Sequence, residues 1–231
     1  MCLGDIFLIS MMKQITVFLF LAVSLFFTSC KSSVSVKPSA VGADFDVSIS
    51  FGSAFCGLFS AVFPSEEGGE TRSFFDDAQI AQMLTATGIQ NVRVKSSGQT
   101  SLQMSGSAAA SGNPLVDSGI IVFALDGNVS LVFSLQNLQA LYGLLPFELA
   151  SYIDMLMAPA FTGEEMTDGE YIDSVATVYG KNVADELNDG EVKFNIHGTD
   201  GRTNSSSLSA VKLLNVTGTV RFCGKRAGEN D

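Results

Sequence analysis

Residues 44–51 alternate polar and apolar without a miss. Phe45, Val47, Ile49 and Phe51 fall on one side; Asp44, Asp46, Ser48 and Ser50 fall on the other. Only an extended chain with one wet and one dry face satisfies that order, so the pattern predicts a half-buried β-strand. Whatever else the chain does, it must cover the dry side. Gly52-Ser53-Ala54 can turn the chain, and residues 55–63 read as a second strand, apolar on both faces and ended by Pro64. Glu66, Glu67 and Glu70 sit in a solvent loop.

Further on, Asp76 and Gln79 form a capping-box pattern at the start of a helix with Ile80, Met83 and Leu84 on one face, and Gly88 is its stop. Residues 89–95 and 100–105 read as a hairpin around Ser97-Gly98, and 107–113 as a mobile polar loop. Residues 119–135 carry a clearer hairpin, because Asp126-Gly127 supplies the positive φ angles of a tight turn. Ser134 caps a helical block in which Leu138, Leu141, Leu145, Leu149, Ile153 and Leu156 recur at helical spacing; Pro146 suits the first turn of its second helix. Thr167-Asp168-Gly169-Glu170 is a second capping box, with Ile172, Val175 and Tyr179 on its buried face and Gly180 as its stop. A short helix over 182–187, a strand over 191–197, a polar loop over 199–207 and closing strand material over 208–223 complete the domain. Hairpins joined by short turns, with helices gathered between them, predict an α+β fold: an antiparallel sheet with a central helical block packed on one face.

Hydrophobic residues make up 46% of the chain and aromatics 10%, with 18 Phe and no Trp, a globular composition. The net charge is −11. No Lys or Arg lies between Lys95 and Lys181, while Glu164, Glu165, Asp168, Glu170 and Asp173 fall inside that gap. Nucleic-acid binding needs a basic footprint and is excluded on this balance; electrostatic attraction to anionic lipid is excluded with it.

The N-terminal region gives the chain an address. Lys13 precedes an apolar run over 15–27 broken only by Thr16 and Ser24, too short to span a bilayer and long enough for an export signal. Thr28, Ser29 and Cys30 follow. This resembles the lipobox of bacterial lipoproteins. Phe27 stands where Leu is usual, and Thr28 and Ser29 stand where Ala and Gly are commoner, a relaxed pattern similar to that of spirochaete lipoproteins. The resemblance implies cleavage before Cys30, acylation of its thiol and attachment to the inner or outer membrane of a cell envelope, with the domain outside the cytoplasm. Two acyl chains anchor stably where one does not. The expected organisation is a signal peptide over 1–29, with translation starting at Met11 or Met12, a lipidated tether over 30–43, the α+β domain over 44–224 and a polar tail over 225–231. In element order, and in the phrase APAFTGEEMTDGEYIDSVATVYG over 158–180, the domain looks like those of other uncharacterised α+β lipoproteins.

Of the remaining thiols, Cys2 precedes the expected start. Cys56 and Cys223 either pair as a disulfide, as export permits, or stay free. His197, the only histidine, shares the polar side of its strand with Glu191, Lys193 and Asn195 and reads as a solvated residue. No nucleophile elbow, phosphate-binding loop, dinucleotide fingerprint or zinc motif occurs, and the acidic run over 164–173 lacks calcium-loop spacing. No metal, cofactor or catalytic residue is expected. The chain therefore reads as a non-enzymatic, lipid-anchored envelope protein that binds or scaffolds a partner. The alternative is a carrier of an acyl chain or other apolar ligand, held between the sheet and the leucine-lined helices of 136–158; an envelope hydrolase is the weaker third reading.

Overall fold

The computed structural model describes residues 32–62, 77–97, 100–144 and 165–224. Its frame is a six-stranded sheet in the order β3-β4-β2-β1-β7-β8. The strands are β1 (Ser32–Ser39), β2 (Gly42–Ser50), β3 (Ile89–Ser97), β4 (Ser101–Ala109), β7 (Glu191–His197) and β8 (Thr203–Ser209). A second sheet of β5 (Ile121–Phe123), β6 (Val129–Phe133) and β9 (Val220–Cys223) has the order β5-β6-β9. The class is α+β.

The expected alternation of residues 44–51 holds. Phe45, Val47, Ile49 and Phe51 are buried, and Asp46 is exposed. The expectation of an all-antiparallel sheet does not hold: β1 and β7 pair in parallel, with Val34 opposite Phe194. The tether expected over 30–43 is corrected as well. Residues 32–39 are an inner strand flanked by β2 and β7, with Val34 and Val36 in the core. The same alternation drives it, Ser out and Val in, as in the strand beside it.

Helices and the small sheet cover one face of the large sheet. Residues 53–62 form helix α1 (Ser53–Val62), not the expected strand. A run apolar on both sides fits a buried helix as well as a buried strand, and here a carboxylate from a distant helix caps it. Helix α2 (Asp77–Ala86) packs on β3 through Ile80 and Leu84, and Asp77 accepts the Ser96 amide at 3.1 Å. Gly88 ends the turn after it at φ +82°. The first capping box lies outside the described residues at Asp76. Residues 107–109 extend β4 rather than opening a loop, and Asn113 caps the short helix α3 (Pro114–Asp117).

Ser134 caps α4 (Leu135–Leu144) by accepting the Asn137 amide, as expected. Both arms of the box at Thr167 are made at the start of α5 (Asp168–Tyr179). Helix α6 (Lys181–Asn188) follows the stop at Gly180. The expected loop over 199–207 is mostly β8, and the expected closing strand is divided into α7 (Ala210–Leu214) and β9.

Three rings join the two sheets. Phe194 of β7 stacks on Phe222 of β9 at 4.0 Å, and Phe133 of β6 meets them at 5.6 and 6.2 Å. Such aromatic contacts add about 0.5–1.5 kcal/mol each beyond the area they bury.

Candidate functional site

The face of the large sheet turned away from the helices is polar from edge to edge. The strand registers align it in rows across all six strands. One row runs Lys95, Gln103, Ser48, Ser33, Lys193, Ser207. The next runs Arg93, Ser105, Asp46, Ser35, Asn195, Ser205. Not one apolar side chain interrupts either row. The small residues in the middle leave a depression of about 370 Å³, lined among others by Ser33, Ser35, Asp46, Ser48, Arg93, Lys95, Gln103 and Ser105.

A β-bulge keeps the two cations there by absorbing one extra residue of β3. Gln90 faces Ser107 and Arg93 faces Ser105, so β3 spends three residues where β4 spends two. Asn91 takes up the surplus in the left-handed region at φ 54°, a β-bulge. Without it, strand parity would carry Arg93 and Lys95 to the side of Ile89, which is buried. With it, Val92 and Val94 turn to the core and the cations turn outward. Gly106 makes room for the bulge, since a Cβ there would lie 2.6 Å from the Ile89 side chain.

Hydrogen bonds stiffen the end of this face. Asn91 donates to Ser107 at 3.4 Å, Ser107 donates to Asp44 at 2.7 Å, and Lys37 lies 3.7 Å from the same carboxylate. That chain of contacts crosses β3, β4, β2 and β1. Arg93 and Lys95, by contrast, join no ion pair among the described residues.

His197 is less solvated than expected. Its Nε2 meets Ser35 Oγ at 3.0 Å and its Nδ1 meets Thr203 Oγ1 at 2.8 Å. The arrangement has the outline of a hydroxyl nucleophile with its base. It lacks two parts of such a machine. A hydroxyl at Nδ1 neither fixes the tautomer nor stabilises an imidazolium as a carboxylate does. For the second, an oxyanion hole, β1 offers no donors: it is flanked by β2 and β7, so its amides serve the sheet ladders.

The remaining residues singled out in the sequence fall elsewhere. Cys56 lies on α1 and Cys223 on β9, with no disulfide between them. Burial, and after it the Glu186 carboxylate, push the Cys56 thiol up, away from reactivity. Cys223 accepts a hydrogen bond from Ser130 at 3.4 Å. Leu138 and Leu141 are core residues at 3% and 5% exposure. Leu145, Leu149, Ile153, Leu156 and Cys30 lie outside the described residues. Between the two sheets an apolar cavity of about 60 Å³, lined by Val36, Phe45, Ile121 and Phe133 among others, is far smaller than the usual 300–1,000 Å³ of a ligand pocket. Among the described residues no group of three or more His, Cys, Asp or Glu is placed to hold a metal. No helix among them is long and apolar enough to cross a membrane.

Comparison with family models, with curated proteins and with solved structures finds no match. The open face was invisible to sequence reasoning because each row takes one residue from each strand. The signal that pointed to it was the polar half of each alternation, above all Asp46 and Ser48 beside the serines of β1.

Proposed function

We propose that this chain is a lipid-anchored envelope protein whose domain works by binding on the open face of its large sheet, without catalysis. The observation that carries the binding half is the uninterrupted polar face with its depression, where Arg93 and Lys95 join no ion pair among the described residues. A polar sheet face that no described element covers is a surface available to a partner. The anchor half rests on the order of signal, small residues and Cys30 in the sequence. Acyl-chain carriage finds less support: Leu138 and Leu141 pack in the core, and the apolar cavity between the sheets has no space for a chain.

Two measurements test the halves separately. Palmitate label entering the wild type and lost in Cys30→Ala supports the anchor; a wild-type chain that takes no label overturns it. Retention of the full chain on delipidated envelope material, abolished by Ser48→Trp, which fills the depression, supports the binding face. Equal retention of the two chains overturns it.

A further inference from the structure

The charges of the depression are ordered. Arg93 and Lys95 stand two residues apart on the β3 rim, about 7 Å along the strand, and Asp46 stands two strands inward, about 10 Å away. Gln103 and Ser48 lie between them in the adjoining row. We infer that this face binds a carboxylate-bearing saccharide, with Arg93 and Lys95 taking the acid group and Asp46, Gln103 and Ser48 taking the sugar hydroxyls. The inference rests on the binding-face reading above and names its ligand.

Charge complementarity selects this occupant. The molecule as a whole carries −11, yet Arg93 and Lys95 line the same depression with no carboxylate partner among the described residues, which makes its β3 rim a place for an anion from outside. Guanidinium and ammonium groups make the stronger, charge-assisted hydrogen bonds to carboxylates. A site for a simple anion has no use for Asp46, which repels it. A sugar acid has one, because an ionised carboxylate accepts hydrogen bonds from hydroxyls and offers no donor of its own. Gln103 offers both a donor and an acceptor, and Ser48 does the same. The rows carry no ring on which a nucleobase would stack and no apolar pocket for peptide side chains. Charged residues on β3 also guard the edge of the sheet, but edge protection requires no depression beside them.

The test uses the full chain in mild detergent, with trigalacturonate as the probe and maltotriose and triglutamate as controls. Amide shifts on titration locate the site, and calorimetry gives Kd. Trigalacturonate should shift the amides of residues 46, 48, 93, 95 and 103. Replacing both cations, Arg93→Ala with Lys95→Ala, should weaken it about tenfold or more, with an unchanged melting temperature because both side chains are exposed. Asp46→Asn should weaken it as well. Maltotriose binding as tightly overturns the acidic class and leaves a binding face standing. Triglutamate binding as tightly overturns the saccharide. Tighter binding by Asp46→Asn reduces the site to plain charge attraction and overturns the role given to the hydroxyls. Shifts confined to other surfaces, or none, overturn the inference, while retention on envelope material judges the face independently.

Discussion

Glu186 of α6 takes the backbone amide of Phe55 at 3.0 Å, across 131 residues of sequence, and its other oxygen takes that of Ala54 at 2.8 Å. The first turn of α1 has no acidic residue of its own, so a tertiary contact satisfies amides that the helix leaves unpaired. Glu186→Ala should cost about 1–3 kcal/mol in urea unfolding, and Glu186→Gln less, since the amide keeps one acceptor oxygen. Glu186→Ala should also bring the Cys56 thiol down toward its ordinary value, which faster reaction with a thiol reagent would show.

The stacked rings between the sheets predict a larger loss. Phe194 is fully buried and touches both Phe222 and Phe133. Phe194→Ala should lower stability by about 3–5 kcal/mol, while Phe194→Leu should recover much of that. Thermal melts of the two variants check the order.

Asn91 holds the bulge in a left-handed conformation that a β-branched side chain resists. Asn91→Gly should be close to neutral; Asn91→Val should destabilise by about 1–3 kcal/mol. Deleting residue 91 should be milder than Asn91→Val, because the ladder then runs unbroken with Val92 opposite Gly106 and leaves Arg93 and Lys95 on the open face. Proteolysis of β3 and amide shifts at residues 93 and 95 distinguish these outcomes.

Thr167 and Glu170 give a pH dependence of known sign. Hydrogen bonds from the Thr167 amide and hydroxyl hold the Glu170 carboxyl below its ordinary 4.5. A depressed carboxyl contributes stability that is present above the unfolded value and is lost as pH falls through the folded one. The start of α5 should therefore stay closed at neutral pH and loosen only below about pH 4.5. Thr167→Ala should raise Glu170 only part of the way, since it removes the hydroxyl and keeps the backbone amide that contributes more, read by NMR titration of the Glu170 side chain.

How far the sequence disclosed this structure depends on which forces act within one segment. Residues 44–51 and 191–197 were legible because one face of each is wet and the other dry. Both later caps, at Ser134 and Thr167, were legible because capping is local. Helix α1 was not, since a run apolar on all sides has no period to read and its cap comes from Glu186. Strand β8 was not, because an edge strand as polar as TNSSSLS has little dry side to betray it. Strand β1 carries the right alternation, but its serines and Pro38 have the composition of a linker, which hides it. The open face needed the cross-strand register, and its cations needed a bulge whose only mark in the sequence is one extra residue.

The early start of β1 changes what an acylated Cys30 would mean. Ser32 is already locked into the middle of the sheet, so Lys31 alone would separate the lipid from the folded body, a span of about 7 Å at full stretch. A domain on so short a leash cannot patrol the space around it. It would stay beside the bilayer, its grip limited to partners that come within about one domain's breadth of the membrane surface.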